Sequence, residues 1–116
     1  MTCATTIESS IYEHVLGSAS PVQCLLDTGV LPESWVSDYL ALVTRAEEQW
    51  SQSPVLPRQL VAALHFASWY LELRYRAWAT LNANAQNPHT EARLIRVRRA
   101  SEPLLLSPAT RKPKVA

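Results

Sequence analysis

Four arginines fall within seven residues, Arg93, Arg96, Arg98 and Arg99, and Arg111, Lys112 and Lys114 follow them. A guanidinium offers a planar fork of donors that fits phosphate and carboxylate, and it stacks on aromatic faces. This basic end is therefore a candidate binding region. Its partner could be a nucleic acid, an acidic protein, or the acidic half of its own chain. The chain as a whole is not basic, with a pI near 7.8, so the usual footprint of a nucleic-acid binder is half present, and no helix-turn-helix signature places a recognition helix.

Other chemistry is sparse. His14, His65 and His89 lie in three separate stretches, and Cys3 and Cys24 have no neighbour of ligand type. No HxxxH, CxxC or HExxH spacing occurs, so no metal is expected. Glu47 and Glu48 are adjacent in sequence. On a helix they point about 100° apart and cannot share a site. Glu72 lies among aromatics, yet Arg76 stands one turn on and explains it as an i,i+4 pair. With two isolated glycines the chain has no phosphate-cradling loop. These residues predict no catalytic centre and no cofactor.

Charge is unevenly distributed. The net charge is +1, but residues 1–57 carry seven carboxylates against Arg45 alone, a net −6. Residues 58–116 carry ten basic side chains against three acidic ones, a net +7. Such halves attract within one chain or across a dimer. At 116 residues and 47% hydrophobic, the chain has the size and composition of one domain with its own core. The start, MTCATTIESS, shows no basic region followed by an apolar run, so no signal peptide is expected. Reduced thiols and a cytoplasmic location follow as expectations.

The elements that must position these residues are read as helices. The organising stretch is 57–86, with Pro57 suited to a first turn and no further Pro until Pro88. Leu60, Leu64, Ala67, Leu71, Tyr75, Trp78 and Leu81 form one apolar stripe at helical spacing. Ala63, Phe66, Tyr70, Leu73 and Ala77 form a second beside it, and Trp69 widens the arc. His65, Ser68, Glu72 and Arg76 make a narrow polar strip. A helix apolar over most of its circumference is normally packed on several sides. The uncharged run from Gln59 to Leu71 is short of the ~20 residues a bilayer span needs, so no membrane partner is expected.

Around it, residues 5–16 read as a first helix, with Thr5 and Glu8 as a capping box and Gly17 as its end. A short connector helix covers about 21–28 and closes at Gly29. A third helix spans about 32–51, with Trp35 and Trp50 as packing anchors near its ends. The loop 51–57 is short enough to make helix 32–51 and the long helix antiparallel neighbours. Thr90 is read as the cap of a last helix, about 89–101, ended by Glu102-Pro103. Leu104, Leu105 and Leu106 would then dock as an apolar clip.

The expectation is an all-α fold, an antiparallel bundle of about four helices around 57–86, with one domain over 1–106 and a flexible basic tail over 107–116. The aromatic load predicts a homodimer, with Trp69, Tyr70, Tyr75 and Trp78 as self-association residues. The expected function is that of a non-enzymatic interaction protein (an adaptor, assembly factor, inhibitor or immunity-type protein) that binds a protein partner. The alternative is a small nucleic-acid-binding protein using Arg93, Arg96, Arg98, Arg99, Arg111, Lys112 and Lys114.

Overall fold

The computed structural model describes residues 6–50, 52–53, 55–82 and 87–105. Every element among them is helical: α1 (Ile7–Leu16), α2 (Val22–Thr28), α3 (Glu33–Trp50), α4 (Arg58–His65), a π-helical segment (Phe66–Tyr70), α5 (Leu71–Leu81) and α6 (Pro88–Leu105). The all-α expectation holds. No helix among the described residues is long and apolar enough to cross a membrane. The expected tail over 107–116, with Arg111, Lys112 and Lys114, lies outside the described residues. So do Leu106, Cys3 and Thr5.

The central stretch is one continuous helical run from α4 through the π segment to α5. α5 ends at Leu81, where Asn82 leaves helical conformation (φ −131°, ψ 52°), and residues 83–86 of the expected 57–86 helix lie outside the described residues. The π segment has a geometrical reason. Leu60 and Ala79 are both buried on the core side, nineteen residues apart. At 3.6 residues per turn, nineteen residues overshoot five full turns by about 100°. A π turn accommodates one extra residue, and one residue is the needed correction. Leu60, Leu64, Leu71, Tyr75 and Ala79 thereby stay on one side.

Four partners pack in a ring. α1 contacts α4 and α3, α3 contacts α6, and α6 contacts the π segment and α4, while α2 caps α5. α3 therefore rests on α1 and α6, and does not lie directly against the long helix as the short loop predicts. A seven-residue connection reaches across the diagonal of a four-helix square as readily as along its edge. Directions follow from side-chain contacts. Leu31 meets Thr90 and Tyr39 meets Ser101, so α3 and α6 run parallel. Tyr75 meets Asn87 and Glu72 meets Arg98, so α5 and α6 run antiparallel.

The helix ends differ from the expected caps in instructive ways. Thr6, not Thr5, caps α1, its Oγ1 accepting from Ser9 N–H at 3.1 Å. Asn87, not Thr90, caps α6, its Oδ1 accepting from the N–H groups of His89 and Thr90. Pro88 then takes the first helical position, where it lacks nothing. Thr90 is buried instead, donating to the Gly29 carbonyl at 2.7 Å and accepting from Leu31 N–H at 3.3 Å. It fastens α6 to the α2–α3 turn. Pro103 does not end α6, which continues to Leu105. Proline there removes only the bond to the Arg99 carbonyl, and the position is exposed. Leu104 reaches the core as expected, 1% exposed.

Polar anchors join the core to its edges. The Tyr39 hydroxyl donates to Ser101 Oγ at 2.6 Å, since Ser101 itself donates to the Val97 carbonyl. Burial pushes the Tyr39 phenol well above its ordinary range, and the Ser101 bond offsets that only in part. Trp35 and His14 stack with centroids 4.8 Å apart, and Trp35 Nε1 donates to the His14 carbonyl. Trp35 is thus the packing anchor its sequence position suggests.

Gly29 and Glu33 generate two expectations. Gly29 has φ +71°, and a Cβ there would run into the Trp78 ring. Gly29→Ala should cost about 2 kcal/mol, from left-handed strain plus displacement of the ring, as read by urea denaturation. Glu33 accepts from Arg93 at 3.1 Å and Arg96 at 3.2 Å. Desolvation draws its carboxyl up, but the Arg96 bond and charge, the Arg93 charge and the Ser37 hydroxyl outweigh it and hold it below the ordinary carboxylate range. A lowered folded-state value means the stabilisation is present above the ordinary carboxylate range and fades as pH falls through the lowered value. Glu33→Gln should flatten that acid limb of the stability profile while leaving the limb above neutrality unchanged.

Candidate interaction surface

The π segment decides which side chains face outward. Within and beyond it, Tyr70 and Leu73 of the second apolar stripe turn away from the core, as do Trp69 and Leu81, the last of which the spacing sets on the first stripe with the core residues. Trp69 is 49% exposed, Tyr70 40%, Leu73 65% and Leu81 85%. Phe66 is half-buried at the edge of the core and packs on Tyr70 with centroids 4.5 Å apart. His65 is exposed and tilts over Trp69 at 5.1 Å. The Arg74 guanidinium lies 5.8 Å from the centre of the Tyr70 ring, within cation–π range. These rings, two leucines and one cation make up the outer face of the helix.

The four aromatics expected to mediate self-association therefore separate into two pairs. Trp69 and Tyr70 lie on the outer face. Tyr75 and Trp78 turn inward. Tyr75 is 2% exposed, accepting from Asn87 N–H at 2.9 Å and donating to the Asn87 carbonyl at 3.2 Å. Trp78 is half-buried against the core and lies over Gly29. Within one copy of the chain, these two hold the α5–α6 turn and α2 in place. The polar strip read from sequence is also redistributed, since Ser68 is 1% exposed and its hydroxyl has no hydrogen-bond partner among the described residues.

The arginine cluster is largely occupied by intramolecular carboxylates. Arg93 and Arg96 share Glu33, and Arg93 also donates to the Leu31 carbonyl at 3.0 Å. Arg98 donates to Glu72 at 2.8 Å and lies 4.0 Å from Glu102. Glu72, its side chain 15% exposed, also accepts from Arg76 at 2.7 Å. Among the described residues Arg99 alone of the cluster has no ion pair. Glu33 and its arginines thus realise the attraction between acidic and basic halves inside a single chain. These contacts are partly exposed, where ion pairs are each worth little. Their effect is to fix α6 against α3 and α5.

Two further features complete the surface. A groove of about 330 Å³ runs between α5 and α6, lined by Glu72, Tyr75, Arg76, Thr80, Glu91 and Leu94 among others. No set of three His, Cys, Asp or Glu side chains among the described residues is placed to hold a metal ion. Cys24 is an exposed free thiol near Thr28 Oγ1. Sequence periodicity marked Phe66, Trp69, Tyr70, Leu73 and Leu81 as apolar, but could not separate the outer ones from the core stripe without the π turn. Comparison of the chain with known protein families, with curated proteins and with solved structures returns no match.

Proposed function

We propose that this chain is a non-enzymatic interaction protein that works by protein–protein contact through the outer face of the α4–α5 helix, and that it self-associates. The observation that carries this reading is the exposure of Trp69, Tyr70 and Leu73 side by side on a helix whose opposite face is fixed in the core. Large aromatics and Arg are the residue types that dominate binding energy at protein interfaces. Their rigidity lowers the ordering cost of association. The occupied state of Arg93, Arg96 and Arg98 supports the same reading against phosphate recognition, because a nucleic acid would have to displace Glu33 and Glu72.

Chemical discrimination is direct. Association driven by the aromatic face should persist after nuclease treatment and at raised salt. It should be lost in the double variant Trp69→Ala, Leu73→Ser, with helicity by circular dichroism unchanged, since both residues are exposed. Arg99→Glu should leave it intact. The opposite pattern, with nucleic acid recovered and a steep fall in affinity with salt, would replace this function with the nucleic-acid one.

A further inference from the structure

We infer that the outer face takes a single acidic amphipathic helix of a different protein, laid along the α4–α5 run. This rests on the interaction reading above and names the chemistry of its partner. The first argument is the shape of the exposed surface. Ala62, His65, Trp69, Leu73, Ala77 and Leu81 are all exposed and recur at every third or fourth position. Residues so spaced form one ridge on a helix surface, and His65 leans on Trp69 along it. The ridge is about 28 Å long and mostly apolar. It is also narrow, with Tyr70 and Arg74 on one flank and Arg76 and Thr80 on the other. A globular partner needs breadth in both directions. A helix of about five turns matches the length and seats its own side chains in the grooves beside the ridge.

Area agrees with shape. Taking large side chains at ~200 Å² each, the exposed fractions of Trp69, Tyr70, Leu73 and Leu81 amount to roughly 480 Å². A standard interface between globular proteins covers about 800 Å² per partner, well above this. A helix about 10 Å across and about 28 Å long covers a strip of the right order.

Charge sets the sign of the partner. From Arg58 to Leu81 the run holds one carboxylate, Glu72, which turns toward α6 and is held by Arg76 and Arg98. Arg58 stands one turn before Ala62 at the start of the ridge, and Arg74 stands beside Leu73 near its middle. Both are exposed, and neither has a carboxylate partner among the described residues. A helix on the ridge therefore meets cations at its rim and no free anion. Carboxylates flanking its apolar stripe complement that rim, and lysines there are repelled.

This chain supplies no such helix. Its acidic helices are α1 and α3, and among their described residues α1 exposes one large apolar side chain, Tyr12, and α3 none. Residues 107–116 are basic and contain Pro108 and Pro113. Self-association over the ridge brings two basic faces together, and an acidic helix displaces it.

Fluorescence anisotropy with two labelled probes tests the inference on the full chain, titrated to about 100 µM. One probe is an amphipathic peptide of about 20 residues, with leucines at helical spacing flanked by glutamates. The other has lysine in place of every glutamate. The glutamate peptide should bind with a dissociation constant of order 10 µM, and the lysine peptide at least ~10-fold more weakly. Leu73→Glu should weaken the glutamate peptide at least ~10-fold with an unchanged circular dichroism spectrum. Arg58→Glu with Arg74→Glu should reverse the preference toward the lysine peptide. Equal binding of the two probes, or a preference untouched by that reversal, would overturn the acidic partner. Binding of neither would overturn the helix as occupant. If the chain then still self-associated in sedimentation equilibrium, and lost this on Trp69→Ala with Leu73→Ser, the interaction reading would survive without this inference. If it stayed monomeric as well, both would fall.

Discussion

A straight α-helix cannot keep one face on a core for as long as this chain requires. Over the nineteen residues from Leu60 to Ala79 the buried side would drift by about a quarter turn. The added residue at Phe66–Tyr70 resolves the conflict locally. Everything downstream depends on it: Tyr75 reaches the Asn87 turn, Trp78 reaches Gly29, and Ala79 stays buried. The same correction ejects Tyr70 and Leu73. The exposed face is thus the geometrical counterpart of the buried one, and the π turn is where core and surface are set together.

Much of the fold could be read from residue spacing because helical periodicity is a strong local signal. The starts at Pro57 and Pro32, the αL end at Gly29 and the burial of Trp35 and Leu104 all follow from single-residue physics. The register change did not, since nothing in FASWY distinguishes a π turn from an α turn until the packing on both sides is known. Caps failed by one or three residues where two adequate side chains compete. Thr5 and Thr6 are equivalent in sequence. Thr90 loses the capping role to Asn87 only because Gly29 and Leu31 offer it buried partners from a distant segment.

For the candidate surface, sequence composition named the aromatic residues and could not tell which of them the fold leaves outside. Trp69, Tyr70, Tyr75 and Trp78 are alike as types, and only the packing of α2 and α6 separates the inner pair from the outer one. The arginines show the same limit. Clustered cations read as a binding end, but the carboxylates that engage them, Glu33 and Glu72, are tens of residues away in sequence. Charge asymmetry along a chain can be resolved by folding as well as by recognition, and in this chain α6 lies between α3 and α5 so that Arg93 and Arg96 meet Glu33 and Arg98 meets Glu72.

The parallel run of α3 and α6 bears on how the molecule is made. Tyr39–Ser101, Leu31–Thr90, Gly29–Thr90 and Leu31–Arg93 each join residues about sixty positions apart. Closing such long loops opposes early assembly entropically, and contacts of this separation slow folding. During synthesis α1 to α5 emerge without the helix that completes their core, and the π segment has no α6 to pack on. The ring of helices closes last, by arrival of its C-terminal member. Until then the interior faces of α3 and α4 are as open to solvent, and to other chains, as the outer face of the finished protein.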